Sequence, residues 1–346
     1  MSAQSIDRHT HPKRVLITGG AGFIGSHLLD HHLSMGDHAV IIDNCSTGRA
    51  SNIHSHLKAT ESAQRVQFIE GDLAAGLAEL RDDESSFDLI YHLAAAVGVD
   101  LVLQDPIGSI RTNIMQTDGL LEFALDHGSP PTFIASSSEV YGKPGASVFS
   151  EEDDSVYGPT SITRWSYAHT KAIDEYLAMA YGSQHDLPVV VARFFNTVGP
   201  RQVGNYGMVL PRFVQSALTN SPLRVFGDGL QSRCFCDVRD VVRVLPKLLD
   251  TPDAHGMVMN IGSDRSISIL ELAERVITVL GSESTIEKIE YSDAYPSGFE
   301  DLRHRKPDLT RIRSVVDFEF EYSLDNTIQD IASEITKHDS INGGVL

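Results

Sequence analysis

Tyr167 and Lys171 stand four residues apart in WSYAHTK, a spacing that puts both on one face of a helix. An ammonium near a phenol favours the phenolate and lowers its pKa towards a range useful for proton transfer. Taken alone, Tyr-x-x-x-Lys is common, and a surface pair is the plain alternative. Its weight here comes from two other stretches. SSSEVYG, residues 136–142, follows the apolar run TFIA and sets hydroxyls and the carboxylate of Glu139 at a strand end. A serine cluster there could be a simple turn, and Glu139 could cap or tie the next loop instead of serving as an acid/base group. VLITGGAGFIGSHLL places Gly19, Gly22 and Gly25 between a strand and a helix, with Phe23 and Ile24 inside the loop. Glycines let the backbone approach a pyrophosphate closely, and the helix N-terminus meets that anion with free N–H groups. The second strand ends in Asp43, 18 positions beyond Gly25, where a carboxylate can bind the adenosine ribose hydroxyls. It would repel a 2′-phosphate, which favours NAD over NADP, although Arg49 lies near.

These groups need a scaffold, and the sequence supplies one. RVLITG, HAVIID, RVQFIEGD, FDLIYHLAA and PTFIASSS have the composition of strands. FIGSHLLDHHLSMG and SIRTNIMQTDGLLEFALDHG have helical patterns closing at Gly36 and Gly128. SYAHTKAIDEYLAMAYGSQH is a long helix, followed by the strand PVVVARFFN. Strands alternating with helices imply an α/β fold, a Rossmann-type doubly wound parallel sheet covered on both faces. After about residue 197 the texture changes to Gly- and Pro-punctuated loops with short elements. The expected division is therefore a dinucleotide-binding domain over 13–196 and a smaller C-terminal substrate-binding lobe over 197–340, which can return strands to the first domain.

The 346-residue chain carries a formal net charge of −19, which argues against non-specific binding to nucleic acid or to an anionic membrane. Three cysteines, Cys45, Cys234 and Cys236, are too few for a disulfide framework. Two neighbouring thiols also make a poor zinc site, so no metal is expected. The start, MSAQSIDRHTHPKR, lacks the apolar core of a signal peptide. No run of about 18 apolar residues is present, so no membrane span is expected. Residues 1–12 read as a disordered tail, and a cytoplasmic location is expected. Within this acidic chain, residues 193–243 hold seven arginines against three aspartates, a locally basic segment suited to steering a diphosphate.

With TGGAGFIG, HLAA, SSSEVYG, YAHTK, RFFNTVGPRQ, VFGDG, SRCFCDVRD and HRKPD in place, nearly all of residues 13–335 resembles the extended short-chain dehydrogenase/reductases that modify nucleotide sugars. The resemblance implies that Ser137 and Tyr167 bracket a sugar C4 hydroxyl and that Lys171 binds the nicotinamide ribose. Asp72 and Leu73 would lie near the adenine, with Leu93 and Ala94 lining the cofactor cleft. Asn196 and Arg233 would contact the diphosphate, with Val225 and Phe226 near the uracil. A homodimer formed through the TNIMQTDGLLEFALDHG and Tyr167 helices is also implied.

Three chemistries can follow oxidation at C4: 4-epimerisation, 4,6-dehydration, and decarboxylation of a C6 carboxylate through a β-keto acid. The dehydratases carry an Asp-Glu pair where this chain has Ser138-Glu139, and simple 4-epimerases usually have no carboxylate at the second position. Ser-Glu, together with YGPTSITRWSYAHTK, is similar to the UDP-glucuronate decarboxylases. By the same resemblance Arg305 in RHRKPD lies near the substrate carboxylate, which an arginine can hold bidentately. The expected activity is NAD-dependent decarboxylation of UDP-glucuronate to UDP-xylose or its 4-keto precursor, with a UDP-hexose or UDP-hexuronate 4-epimerase as the alternative. A dehydratase and a non-enzymatic NAD-binding regulator rank lower, because Ser137, Tyr167 and Lys171 are all present.

Overall fold

The computed structural model describes residues 11–59, 62–83, 85–96, 105–204, 208–290 and 303–341, so most of the tail expected at 1–12 lies outside the described residues. Apolar runs too short for helices become strands, and the longer patterned stretches between them become helices. In chain order the first part holds β1 (Arg14–Thr18), α1 (Phe23–Met35), β2 (His38–Asp43), α2 (His54–Lys58), β3 (Val66–Glu70) and α3 (Leu73–Leu80). It continues with β4 (Leu89–His92), α4 (Pro106–Asp126), β5 (Thr132–Ser137), β6 (Val148–Phe149), α5 (Trp165–His185) and β7 (Val189–Phe194). The second part begins with β8 (Thr197–Val198), α6 (Val209–Leu218), β9 (Leu223–Phe226), β10 (Ser232–Cys234), β11 (Cys236–Asp237) and α7 (Val238–Leu249). It ends with β12 (Met257–Ile261), β13 (Ser266–Ser268), α8 (Ile269–Leu280), β14 (Ile286–Ile289), β15 (His304–Pro307), α9 (Thr310–Val315) and α10 (Leu324–Ile341).

Seven strands form one parallel sheet in the order β12-β7-β5-β4-β1-β2-β3. Strand order reverses direction between β1 and β4, and such a switch point opens a crevice at the carboxyl ends of the strands. Both faces are covered. Val15, Ile17, Tyr91, Phe133 and Val190 pack on one side with Leu28 of α1 and Leu245 of α7. Leu16, Ile90, Ile134 and Val191 pack on the other with Leu120 of α4 and Ala178 of α5. The chain re-enters this sheet after leaving it, because β12 pairs along β7 from Met257↔Val190 to Ile261↔Phe194.

The remaining elements build a lobe with its own core, in which Leu210, Phe213, Val214, Leu272, Val276 and Ile328 of α6, α8 and α10 meet. Its small sheet runs β13-β10-β15-β6 and sets Arg233 of β10 opposite Arg305 of β15. The short strand β6, contributed by the first part of the chain, joins this sheet through Pro307↔Phe149. No helix among the described residues is long and apolar enough to cross a membrane.

Candidate active site

A cavity of about 920 Å3 runs along the carboxyl ends of the central strands, lined by the glycine loop at one end and by Glu139, Tyr167 and Arg305 at the other. That volume is at the upper end for small-molecule sites, in keeping with a ligand larger than one mononucleotide. At the first end β1 runs into Gly19, whose φ of +72° is left-handed. A Cβ there would lie 2.8 Å from the amide nitrogen of Ala94, which follows β4 across the switch point. A Cβ on Gly25 would overlap the Gly19 carbonyl oxygen. Helix α1 starts at Gly22 with no side chain capping its first turn, leaving backbone N–H groups for an anion. Asp43 ends β2, its two oxygens fixed by the N–H groups of Ala21 (2.9 Å) and Cys45 (2.8 Å). Asp72, which accepts from Asn44 Nδ2 at 2.7 Å, lines the same cavity, as do Leu73, Leu93, Ala94, Phe23 and Ile24. A backbone cradle that excludes Cβ atoms, beside a fixed strand-end carboxylate, fits a dinucleotide pyrophosphate and ribose.

The other end is made of side chains. Ser137 is the last residue of β5, and its Oγ accepts from the N–H of Glu139 at 3.2 Å, starting a 3-10 turn over Ser138–Tyr141. Tyr167 sits in the first turn of α5, where its phenol is hydrogen-bonded with Ser137. Burial holds that phenol above its ordinary pKa, with the Glu139 and Asp174 carboxylates adding to the effect and the Ser137 bond opposing it. Lys171, one turn on, is 3% exposed and donates to the Ala135 carbonyl (3.0 Å) and to Asp174 Oδ2 (3.0 Å). Near it His92 is pushed down to about 3, by burial and then by the Lys171 charge, so this imidazole is neutral between Thr18 and Thr117.

Glu139 is the electrostatic centre of this end. Its Oε1 lies 2.8 Å from Arg305 Nη1 and its Oε2 lies 3.8 Å from Arg164 Nη2. Burial opposes ionisation, but Arg305, Arg164 and Arg233 outweigh it and hold the carboxyl below its usual range. Glu139 is therefore a carboxylate at neutral pH among three guanidinium groups. The Nε of Arg305 is buried without a hydrogen-bond partner among the described residues.

The structure departs from the sequence expectations in three places. Spacing predicts that Lys171 lowers the Tyr167 pKa; instead the ammonium is held by Asp174 and Ala135, and the phenol responds to two carboxylates. Spacing fixes a shared helix face but not the partner an ammonium finds. Val225 is fully buried in the lobe core and offers no surface to a uracil, while Phe226 lies under the Arg212 guanidinium at 5.2 Å. The basic run over 193–243 is also largely neutralised in place. Arg193 pairs with Glu175 (2.7 Å), Arg201 with Asp30 (2.7 Å), Arg239 with Asp237 (2.8 Å) and Arg243 with Asp240 (3.0 Å). Asn196 does line the cavity, donating to the Cys234 carbonyl at 3.3 Å, whereas buried Arg233, paired beside Arg305 on the neighbouring strand, is not among its lining residues. Arg164, present in the sequence only as part of a motif, gains a role as the second cation at Glu139.

The profile of the NAD dependent epimerase/dehydratase family matches residues 15–262. The chain belongs to this family. It is 39% identical over 92% of its length, and 97% of the relative's, to the UDP-N-acetyl-alpha-D-glucosaminuronate decarboxylase of Bacillus cytotoxicus. Against UDP-glucuronic acid decarboxylase 1 of Arabidopsis thaliana the identity is 34%, over 90% of this chain and 67% of that one. Among solved structures, the UDP-glucuronic acid 4-epimerase of Bacillus cereus in complex with UDP-glucuronic acid and NAD superposes with a TM-score of 0.80. That match has 29% identity and covers 94% of this chain and 99% of the other. NAD is the cofactor of this family member, and a nucleotide sugar its class of substrate.

Proposed function

We propose that this chain decarboxylates a UDP-hexuronate after transient oxidation at C4, with UDP-glucuronate as the leading substrate and UDP-xylose or its 4-keto precursor as the product. The observation that carries the proposal is ionised Glu139 among Arg305, Arg164 and Arg233 beside the Ser137–Tyr167 pair. One carboxylate against Arg305 and Arg164, with Arg233 adding its charge from nearby, leaves this end of the cavity net positive, a setting that accepts a second carboxylate. A dehydratase needs a protonated acid to expel the C6 hydroxyl; here Ser138 offers none and Glu139 is ionised.

The glycine loop, Asp43, Asp72, Leu73, Leu93 and Ala94 would hold NAD, with Lys171 at its nicotinamide ribose. When bound, NAD would supply the hydride acceptor for C4; UDP-xylose as product requires that hydride to come back to C4, whereas release of the 4-keto sugar would leave the cofactor reduced. Tyr167 would hold the proton of the C4 hydroxyl, with Ser137 sharing the hydrogen bond. Arg305 would receive the C6 carboxylate, and Glu139 would orient the proton donor at C5. Residues 13–196 would thus carry the cofactor, and residues 197–340 most of the substrate contacts, with Asn196 at the diphosphate and Arg233 supporting the charge at Arg305 and Glu139. Decarboxylases acting on UDP-glucuronate and on its 2-acetamido counterpart both stand among the relatives, so both sugars belong in the test. Incubation with each, and with UDP-glucose, followed by NMR, checks the proposal. Loss of C6 supports it; inversion at C4 with C6 retained overturns it in favour of a 4-epimerase.

Helices α4 and α5 expose Ile107, Met115 and Tyr176 at 64, 71 and 77%, which supports a homodimer through these helices. Sedimentation should give a dimer for the native chain and a monomer for Tyr176→Glu. Its three thiols are unpaired, in keeping with a reducing compartment such as the cytoplasm.

A further inference from the structure

Behind the reacting groups runs a buried polar chain that the mechanism above does not use. Ser136 Oγ donates to Glu175 Oε1 at 2.5 Å. Arg193 grips both oxygens of that carboxylate, from Nε at 2.9 Å and Nη2 at 2.7 Å. Its guanidinium lies 4.6 Å from the centre of the Tyr141 ring. The Tyr141 hydroxyl donates to Asn260 Oδ1 at 2.7 Å. Asn260 then donates from Nδ2 to two backbone carbonyls, Phe149 (2.9 Å) and Asp308 (3.2 Å). All five side chains are buried, and Asn260 is 0% exposed.

Its endpoints lie next to the groups that would do the chemistry. Ser136 precedes Ser137, and Glu175 follows Lys171 by one helical turn. Tyr141 closes the turn that carries Glu139, and Asp308 follows the strand that carries Arg305. Asn260 itself comes from β12, at the edge of the large sheet. Its amide therefore joins the Glu139 turn, strand β6 and the end of β15 at one point. With its acceptor and both donors engaged, the amide has one satisfied orientation. Replacing it takes the partner from the buried Tyr141 hydroxyl and from the Asp308 carbonyl, while the Phe149 carbonyl keeps the Asp308 N–H at 2.9 Å.

We propose that Asn260 is a positioning residue: by tying Tyr141 to Asp308 it sets the Glu139–Arg305 contact, and through that contact the step that cleaves C6, without touching substrate or cofactor. The role of that step rests on the decarboxylase reading above.

Full-length NAD-loaded protein carrying Tyr141→Phe or Asn260→Ala provides the test, with two activity readouts. Absorbance of reduced cofactor at about 340 nm follows C4 oxidation, which needs Ser137, Tyr167 and Lys171; carbon dioxide release follows cleavage. Tyr141→Phe, which keeps its ring over Arg193, should slow release about tenfold and Asn260→Ala about a hundredfold, with KM and C4 oxidation little changed. Combined with Glu139→Gln, Asn260→Ala should add far less than its separate effect, because the group it positions is already lost. A third readout is independent of the reaction. Carboxyl-carbon NMR of 13C-labelled glutamate, assigned with Glu139→Gln, should show Glu139 titrating at higher pH in Asn260→Ala. An unchanged Glu139 titration overturns the inference, as do multiplicative effects in the double variant or a parallel fall of oxidation, cleavage and melting temperature. If the native protein releases no carbon dioxide, the decarboxylase reading fails alone, and the titration still decides the role of Asn260.

Discussion

The two ends of the cavity are built from different materials. The end where NAD is proposed to bind is mostly backbone: Gly19, Gly22 and Gly25 contribute by lacking side chains, within one stretch of seven residues. The reacting end is mostly charge, with Glu139, Arg164 and Arg305 brought together from a turn, a helix start and a strand of the other lobe. A backbone cradle tolerates no added atom, whereas a charge cluster tolerates a change of shape but not of sign. Substitutions should therefore fail differently at the two ends.

The largest effect is expected at the Glu139 end from Tyr167→Phe, which removes the phenol proposed above to take the C4 hydroxyl proton. Turnover should fall by about a thousandfold, with NAD affinity by fluorescence titration nearly unchanged. At the cofactor end Gly25→Ala drives a methyl into the Gly19 carbonyl. Calorimetry should show NAD binding about a hundredfold weaker, taking the cost of a displaced phosphate cradle as about 3 kcal/mol. If Gly25→Ala instead spares binding and lowers turnover alone, the contrast between the two ends breaks.

Between them lies buried neutral His92, whose pKa of about 3 in the fold compares with 6.5 for a histidine side chain open to water. The unfolded chain takes up a proton below 6.5 and the folded one does not. This contribution to stability is complete above pH 6.5 and declines as pH falls towards 3. Urea unfolding at pH 5 should show a loss of about 2 kcal/mol relative to pH 7, much of it absent in His92→Gln. The smallest shift, read in the shape of the pH profile apart from any loss of carboxylate binding, sharpens the charge side of the comparison. Removing the guanidinium in Arg305→Met lets burial dominate Glu139, so its pKa rises. The acid limb of the turnover profile should move up by about one pH unit, where a neutral binding pocket would show no shift.

This difference in materials also decides what could be read from the sequence. The glycine loop, Asp43 and the Tyr167–Lys171 spacing are local patterns, and local patterns survive in a one-dimensional string. The central strands were legible for the same reason, since buried parallel strands are continuous apolar runs. Convergence of Arg164 and Arg305 on Glu139 was not, because spacing says nothing about which cations meet across 25 and 166 residues of chain. Lys171 shows the limit within a single motif: its face was legible, and its bond to Asp174, only three residues on, was not. Val225 shows the converse, since a residue in a recognisable motif turned out to be packing. Asn260 left one clue, an amide next to the end of the apolar strand MVMNI.

The return of β12 to the large sheet bears on how the chain is made. When residue 196 has been synthesised, β7 is still an open edge, and its partner Met257–Ile261 lies more than sixty residues downstream. An unpaired apolar edge invites wrong pairing. The part of the chain that supplies six of the seven sheet strands is thus first in sequence but cannot be first to finish, and a nascent chain halted between these strands would expose an apolar strand edge open to wrong pairing.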